Sequence, residues 1–207
     1  MINIAVFISG RGSNFKSLHD NIKSGSISGC RIAAVFSNNP DAKGLDYAKE
    51  NNMDTIVIPS KNRTDKAGYD REILERLSPY NIDLICLAGY MRMVTNELIK
   101  AFPDRIINIH PSLLPSFSGL NAQEQAINKG VKISGCTLHF VDEGMDTGPI
   151  IAQAAVPVME NDTADTLSAR ILQEEHRIYS QGVRLFCEGR LRVESGRVVI
   201  TGGKADG

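Results

Sequence analysis

The sequence predicts an α/β fold, with a mostly parallel Rossmann-like sheet, helices on both faces and an antiparallel C-terminal part. Short continuous apolar runs such as 3–8 and 84–88 are typical of strands that are covered on both faces. Segments with helical spacing alternate with these runs through the first half of the chain, which favours parallel βαβ units. The later strands follow each other directly across short loops, which predicts antiparallel pairs.

The elements of the first half are delimited by turn-forming residues. Each predicted strand ends near a Gly, Asn or Pro, and each predicted helix has apolar residues three or four positions apart. Thr95 stands where a residue would cap the helix that follows it. The predicted strands are 3–8, 31–37, 55–58, 84–88 and 106–110, and the predicted helices are 15–22, 44–51, 69–77 and 95–102.

The second half has fewer and longer elements. A helix is predicted over 122–128, strands over 134–141 and 150–158, and a long helix, capped by Asp162 and Thr163, over 164–187. A terminal hairpin is predicted from 191–193 and 198–200, and residues 204–207 are expected to fray. Because no repeat, low-complexity tract or linker divides the chain, residues 1–207 are predicted to form a single domain.

Three loops each follow a predicted strand directly, at 9–14, 89–94 and 108–115. In open α/β sheets, ligands bind beyond the carboxyl ends of the parallel strands. We therefore expect these three loops to line one cleft.

The first of these loops reads Ser-Gly-Arg-Gly-Ser-Asn and joins a strand to a helix. Such a turn exposes backbone N–H groups at the positive end of the helix dipole, which favours an anion and above all a phosphate. Arg11, Ser13 and Asn14 add side-chain donors. The loop is neither a dinucleotide fingerprint, because Phe15 stands where the third glycine belongs, nor a Walker sequence. The alternative is a plain tight turn.

Asn108 and His110 end a predicted strand just before a proline-rich loop. Residues two apart on a strand point to the same side. An amide donor beside an imidazole could stabilise an oxyanion and move a proton. The alternative is a polar strand end followed by a turn.

The acidic loop 142–146 could supply a carboxylate that orients His110, but its residue types leave open which one. A metal site made of His110, His139 and Asp142 or Asp146 has no supporting ligand spacing. On their own, His139 is interpreted as a sheet residue, His19 as a surface helix residue, and Glu175-His176 as part of a solvated helix face.

Composition narrows the possible partners. The net charge of −1 provides no positive field for nucleic acid or an anionic membrane. No apolar run is long enough to cross a bilayer, and the first residues have no signal-peptide pattern. We expect a cytoplasmic monomer or homodimer that binds small molecules. The four cysteines share no CxxC spacing, so disulfide, zinc and thiol-nucleophile roles lack a pattern.

Four blocks together resemble the phosphoribosylglycinamide formyltransferase family. They are Ser9 to Asn14, Leu87-Ala88-Gly89-Tyr90-Met91-Arg92, Asn108-Ile109-His110-Pro111-Ser112-Leu113-Leu114-Pro115, and His139-Phe140-Val141 with Asp146. The likeness runs from the first strand to about residue 190. The Asn-x-His-Pro-Ser-Leu-Leu-Pro block is shared by the wider group of 10-formyltetrahydrofolate enzymes, and the glycine-rich loop is more particular to the glycinamide ribonucleotide branch.

The resemblance implies transfer of a formyl group from 10-formyltetrahydrofolate, a co-substrate, to the amine of glycinamide ribonucleotide in purine biosynthesis, without a metal. Asn108, His110 and Asp146 would be the catalytic residues. Asn108 and protonated His110 would stabilise the tetrahedral oxyanion, and Asp146 would hold His110 charged and oriented. A water would carry the proton from the amine to the folate nitrogen.

The resemblance also implies two sets of binding residues. The ribonucleotide would be held by Arg11, Gly12, Ser13, Asn14 and Glu175, and this role for Glu175 replaces its interpretation as a solvated residue. The folate would be held by Met91, Arg92, Met93, Val94, Leu98, Val141, Asp142, Glu143 and Gly144. The chain departs from the family at two places. Many members have Gln or Lys where this chain has Leu172, and many bacterial members have Pro-Gly-Leu-His where this chain has Ser-Gly-Leu-Asn at 118–121.

Three other functions compete with this one. A methionyl-tRNA formyltransferase would need a basic C-terminal extension, which the charge and length argue against. A formyltetrahydrofolate hydrolase usually has a regulatory domain ahead of its catalytic domain, whereas in this sequence the predicted catalytic domain starts at Met1. A non-catalytic phosphate- or nucleotide-binding module would explain the 9–14 loop but would leave Asn108, His110 and Asp146 without a purpose.

Overall fold

The structure, a computed structural model, describes residues 1–202. The internal contacts divide the chain into two compact units, Met1–Asn108 and a second one that begins at Ile109. The fraying expected at 204–207 lies outside the described residues. The single-domain assignment stays a prediction.

The first unit is built on parallel strands in the order β3-β2-β1-β4-β5. The last of these continues to His110, and its residues up to Asn108 belong to this unit. The strands are β1 (Ile2–Ile8), β2 (Cys30–Ser37), β3 (Thr55–Val57), β4 (Leu84–Leu87) and β5 (Ile106–His110), and the helices are α1 (Ser13–Lys23), α2 (Lys43–Glu50), α3 (Lys66–Leu77), which a 3₁₀ turn (Ser78–Tyr80) extends, and α4 (Asn96–Ala101).

Burial explains why the central strands are continuously apolar. Every residue of β4 and the last five residues of β1 are buried, as expected for strands covered on both faces. Phe7 of β1 packs against Phe36 of β2, with ring centroids 4.5 Å apart, and against Tyr90 at 5.4 Å. Aromatic burial of this kind fixes the sheet just below the ends of its strands.

Helix α2 begins one residue earlier than predicted, at Lys43, and two other helices of this unit begin two or three residues earlier, differences that capping explains. Helix α1 begins at Ser13 because Gly12, with φ +74°, takes the left-handed N-cap conformation. Helix α3 begins at Lys66 because the Asp65 carboxylate accepts a 2.8 Å hydrogen bond from the Gly68 N–H. The predicted Thr95 cap of α4 is confirmed, since its hydroxyl accepts from the Glu97 N–H.

The second unit contains an antiparallel pair and one long helix. The two strands pair from Ile133 opposite Pro157 to His139 opposite Ile150. The long helix packs on both strands, and Gly182 allows the close approach, because a Cβ there would lie 2.1 Å from the Leu138 side chain. The elements are α5 (Ala122–Lys129), β6 (Ile133–Phe140), β7 (Ile150–Pro157), α6 (Ala164–Cys187), β8 (Leu191–Glu194) and β9 (Arg197–Ile200).

The fold class predicted from the sequence is confirmed. The first unit has the parallel Rossmann-like sheet with its helices, and the second has the antiparallel part, including the terminal hairpin of β8 and β9. Helix α6 has the predicted bounds, with Thr163 as its N-cap. Within residues 1–202, no helix is both long enough and apolar enough to cross a membrane.

Candidate active site

Two of the three predicted loops meet in the first unit. The 9–14 loop leaves β1 and the 89–94 loop leaves the neighbouring strand β4. The Ser9 N–H donates to the Gly89 carbonyl at 3.2 Å, and the Met91 N–H donates to the Ser9 hydroxyl at 2.8 Å. The first unit thus brings two of the three loops together, and a single cleft lined by all three stays a prediction.

The glycine-rich loop presents the start of α1 without a side-chain cap. Gly12 is the N-cap, and it makes no side-chain hydrogen bond because it has no side chain. The N-cap therefore supplies no side-chain acceptor of its own at the positive end of the helix dipole, where an anion is favoured. Arg11 is exposed, Ser13 is half-buried and Asn14 is buried.

Close packing behind this loop requires a second glycine. The Gly44 N–H, in the first turn of α2, donates to the Gly10 carbonyl at 3.0 Å. A Cβ on Gly44 would lie 2.6 Å from the Ile8 Cδ1 and 3.4 Å from the Gly12 Cα. The start of α2 therefore supports the back of the loop.

The 89–94 loop is held at its far end by a buried carboxylate. Asp70 of α3 is 2% exposed, and its Oδ2 accepts from the Thr95 N–H at 2.6 Å. Burial raises the pKa of Asp70, although the Thr95 hydrogen bond and Arg92 act in the opposite direction. The Arg92 guanidinium stacks over the Tyr69 ring at 4.4 Å, and burial raises the pKa of Tyr69 to about 12.

The predicted folate residues differ widely in exposure. Met91 and Met93 are 70% and 50% exposed, whereas Leu98 is fully buried on α4. The other residues in this set are half-buried or exposed, and they are Arg92, Val94, Val141 and Asp142 (half-buried) and Glu143 and Gly144 (exposed). Their role in binding folate stays a prediction.

In the second unit, both ring nitrogens of His110 face oxygen atoms. His110 is 5% exposed. Its Nδ1 lies 3.4 Å from the Asp146 Oδ2, and its Nε2 lies 2.9 Å from the Phe117 carbonyl oxygen. A carbonyl oxygen only accepts, so Nε2 carries the hydrogen in that contact. A second hydrogen on Nδ1 would satisfy the carboxylate as well. Asp146 thus lies where it would stabilise a hydrogen on Nδ1 whenever the ring carries one.

The backbone aims Asp146 at the imidazole. Asp146 has φ +55°, in the left-handed region that Asp tolerates better than most residues. Its Oδ2 also accepts from the Gly119 N–H at 2.8 Å. Asp146 is therefore the acidic-loop residue that reaches His110, whereas Asp142 accepts from the Thr147 hydroxyl and the Gly144 N–H.

The loop after His110 is held by two side chains that the sequence analysis did not single out. The fully buried Thr137 of β6 donates from its hydroxyl to the Ser112 carbonyl at 2.7 Å and accepts from the Leu114 N–H at 3.0 Å. The Gln153 amide of β7 donates to the same hydroxyl and to the Leu114 carbonyl. No local sequence pattern predicts these long-range contacts or the contact of the Phe117 carbonyl with His110.

His139 is confirmed as a sheet residue, but it also faces the candidate site. It lies on β6 at 2% exposure, with Nδ1 2.7 Å from the Phe140 carbonyl and Nε2 3.9 Å from the Asp146 Oδ1. Burial lowers the pKa of His139, which favours a neutral ring. In residues 1–202, no group of His, Cys, Asp and Glu side chains is arranged to hold a metal ion.

Two residues are less exposed than their sequence context suggested. Glu175 is 8% exposed on α6, so the interpretation of it as solvated is wrong. His19 is half-buried, with Nδ1 2.7 Å from the Tyr47 hydroxyl, because α1 packs against α2 there. Burial also raises the pKa of the Cys136 thiol to about 12, with Glu175 adding to the effect, which disfavours a nucleophilic thiolate.

Comparisons with known proteins show the family to which this chain belongs. The family model described as "Formyl transferase" matches residues 2–183. The solved glycinamide ribonucleotide transformylase 1 from Symbiobacterium toebii is 50% identical, with a TM-score of 0.94, and the match covers 98% of this chain and 95% of that one. The phosphoribosylglycinamide formyltransferase of Bacillus subtilis (strain 168) is 41% identical over 184 residues, which is 89% of this chain and 94% of that protein.

A plant relative is longer. The chloroplastic phosphoribosylglycinamide formyltransferase of Arabidopsis thaliana is 40% identical over 195 residues, which covers 91% of this chain and 66% of the relative. The chain thus spans just under two thirds of that protein's length. The resemblance to phosphoribosylglycinamide formyltransferases is confirmed, and the catalytic roles of individual residues stay predictions.

Proposed function

This chain belongs to the formyl transferase family, and from that premise we propose that it transfers the formyl group of 10-formyltetrahydrofolate to the amine of glycinamide ribonucleotide in purine biosynthesis. The observation that carries the proposal is the pair of contacts made by His110. Its ring nitrogens face Asp146 and the Phe117 carbonyl, so both are set up as donors.

A donor of this kind is what formyl transfer needs. The amine lone pair attacks the formyl carbon, and the carbonyl oxygen becomes an oxyanion in a tetrahedral intermediate. The Nε2–H of protonated His110, which exchanges the Phe117 carbonyl for that oxygen as the intermediate forms, and the Asn108 amide donate hydrogen bonds to it. These bonds stabilise the oxyanion more than the neutral carbonyl of the substrate. His110 and Asn108 lie two residues apart on β5, a spacing that directs both side chains to one side of the strand.

The collapse of the intermediate completes the transfer. The bond between the formyl carbon and N10 breaks, and N10 takes up the proton that the attacking amine gives up, carried by a water. The products are formylglycinamide ribonucleotide and tetrahydrofolate, so no metal or redox partner is needed for atoms and charges to balance. Asp146 keeps the imidazole charged and oriented throughout.

The binding roles follow the two loops of the first unit and one helix of the second. The ribonucleotide phosphate binds at the start of α1, with Arg11, Gly12, Ser13 and Asn14 as donors, which the uncapped first turn supports. Glu175 binds a ribose hydroxyl. The folate binds along the 89–94 loop and the 141–144 segment, where Met91 and Met93 offer exposed apolar surface.

The wider expectations belong to the same proposal. The protein works on small molecules as a monomer or homodimer, through one formyltransferase domain over residues 1–207, without a nucleic-acid or membrane partner. We place it in the cytoplasm, although the Arabidopsis relative is chloroplastic by name.

Tetrahydrofolate release by the purified protein tests the proposal. With 10-formyltetrahydrofolate as donor, we expect release only when glycinamide ribonucleotide is present. Release without the ribonucleotide would indicate a hydrolase instead. Binding of the ribonucleotide without release would indicate a binding module, and either result would contradict the transferase.

The Asn108→Ala variant sharpens this test. It removes an oxyanion donor and leaves the ribonucleotide loop intact, so ribonucleotide binding should stay near normal while turnover falls about 10²-fold. Unchanged turnover would exclude Asn108 from the reaction.

A further inference from the structure

The Ser9 hydroxyl lies at a junction between the two ligand loops of the first unit. It accepts a 2.8 Å hydrogen bond from the Met91 N–H and donates a 2.6 Å hydrogen bond to the Asn38 Oδ1. The Asn38 amide in turn donates to the Ser60 hydroxyl at 2.9 Å. Four segments, each following a different strand, are therefore linked by one directional chain of hydrogen bonds.

The backbone of Ser9 is fixed as firmly as its side chain. Its N–H continues the ladder between β1 and β4 by donating to the Gly89 carbonyl, and its own carbonyl accepts from the Asn39 side chain at 3.1 Å. Ser9 is thus tied at three points, one residue ahead of the glycine-rich turn. In addition to the contact at Gly89, the 89–94 loop is connected to Ser9 by the hydrogen bond from the Met91 N–H to the Ser9 hydroxyl.

We propose that Ser9 is a positioning residue that couples the two loops, so that occupation of the ribonucleotide loop tightens binding of folate at the 89–94 loop, and the reverse. The inference rests on the proposed function, which assigns one ligand to each loop. A ligand that restricts the turn at 10–14 also restricts the remaining motion of Ser9, and through the Met91 N–H it restricts the middle of the other loop. The ordering cost is then shared by the two ligands, which is a positive coupling and is reciprocal by thermodynamic linkage.

The direction of the hydrogen bonds makes the hydroxyl hard to replace. One atom has to accept from Met91 and donate to Asn38 at the same time, and a hydroxyl does both. Because each bond in such a chain polarises the next, loss of the central member weakens its neighbours. Ser9→Ala removes both bonds, whereas Ser9→Thr keeps the hydroxyl on a half-buried residue.

Equilibrium binding with a non-reacting pair of ligands measures the coupling. The dissociation constant of glycinamide ribonucleotide is determined with and without saturating tetrahydrofolate, which carries no formyl group. We expect the wild-type protein to bind the ribonucleotide about fivefold more tightly when tetrahydrofolate is present, as one net hydrogen bond would give. In Ser9→Ala this ratio should fall to about one, and Ser9→Thr should restore most of it.

The matched control is Ser24→Ala. Ser24 is exposed and its hydroxyl bonds only within its own turn, to the Asn21 carbonyl and to Ser26. This variant should keep the wild-type ratio. A ratio of one in the wild-type protein, or an unchanged ratio in Ser9→Ala, would overturn the proposal even if formyl transfer proceeds normally. Failure of the ribonucleotide to bind at all would instead overturn the proposed function, and the coupling with it.

Hydrogen exchange at the Met91 amide keeps the test valid if Ser9→Ala loses affinity for either ligand. In the ligand-free protein, that amide should exchange about fivefold faster in Ser9→Ala than in Ser9→Thr or in the wild type, since its acceptor is gone. Equal exchange in all three would show that Ser9 does not hold the loop and would overturn the proposal.

Discussion

The two loops of the first unit and the surroundings of His110 are held in position by different kinds of contact. Apart from the Asp70 carboxylate at the far end of the 89–94 loop, the loops are fixed by neutral hydrogen bonds and close backbone packing, such as the Ser9–Met91 bond and the approach of Gly44 to Gly12. His110 is fixed by oxygen acceptors, a carboxylate and a carbonyl, that converge on one buried ring. Changes to the loops should therefore affect binding, and changes around His110 should affect the rate of the chemical step.

The largest effect should come from replacing the imidazole. His110→Gln removes the charged donor to the oxyanion, so kcat should fall about 10³-fold while the dissociation constant of glycinamide ribonucleotide changes little. Steady-state kinetics and equilibrium binding check the two parts. His19→Gln is the matched control, because His19 contacts Tyr47 in the first unit, and it should keep wild-type turnover. A similar loss of kcat in both variants would contradict the comparison.

Asp146→Asn should have the next largest effect. The amide keeps the shape and the left-handed backbone but loses the charge that favours imidazolium, so kcat should fall about 10²-fold. The measurement is kcat against pH for the wild type, Asp146→Asn and the exposed control Asp54→Asn. If Asp146 has only a structural role, Asp146→Asn should have a lower Tm and a pH profile of unchanged shape. That result would exclude the role of Asp146 in keeping His110 charged.

Gly12→Ala probes the other side of the comparison. The new Cβ would lie 3.1 Å from the Gly44 Cα at a residue with φ +74°, so the turn must shift. We expect KM for glycinamide ribonucleotide to rise about tenfold, because two or three first-turn amides lose their alignment, with kcat within about twofold of wild type.

Gly25→Ala separates backbone strain from the contact with Gly44. Gly25 has φ +80°, and a Cβ there would meet nothing within 4 Å. This variant should show the same strain cost in Tm and no change in KM. If KM rises equally in both variants, the packing of Gly12 on Gly44 does not shape the ribonucleotide loop.

The smallest effect concerns stability and Asp70. Asp70→Ala leaves the Thr95 N–H without its acceptor and should lower the free energy of unfolding by about 1–3 kcal/mol. Asp70→Asn keeps an acceptor and removes a buried charge. Because burial raises the pKa of Asp70 in the folded protein, its favourable contribution is present below the unfolded pKa and is lost as pH rises through the folded pKa.

The stability of Asp70→Asn relative to the wild type should therefore increase as pH rises from about 4, the ordinary range of an Asp. Urea unfolding of the two proteins across that range measures the difference. A constant difference would show that the Thr95 bond and Arg92 cancel the cost of burying the carboxylate, and the opposite slope would show that they outweigh it.

The fold could be predicted from the sequence because its signals are local. The apolar run of β5 and the capped, periodic helix α6 have the predicted bounds. The start of α3 was missed by three residues, since the Asp65 cap lies in a polar stretch without apolar spacing. Local signals therefore place elements well and their polar ends less well.

The candidate site could be predicted only in part, for the same reason. Gly12, His110 and Asp146 lie in motifs that their neighbours mark, although the choice of Asp146 among the acidic residues came from the family resemblance. The Phe117 backbone carbonyl contacts His110, and the Thr137 hydroxyl donates to the Ser112 carbonyl, 25 residues earlier in the chain. Neither contact has a local signature in the sequence. Contacts of this kind arise from tertiary packing, so they became visible only in the structure.

The most direct test of the account is the protonation of His110 at neutral pH, read from the ¹⁵N chemical shifts of its ring. The chain has four histidines, and the His110→Gln variant assigns the resonances. We predict that both ring nitrogens carry hydrogen, because the proposed reaction needs a charged donor and because Nε2 faces the Phe117 carbonyl and Nδ1 faces the Asp146 carboxylate. A ring with one bare nitrogen at that pH would contradict the charged donor on which the proposed formyl transfer depends.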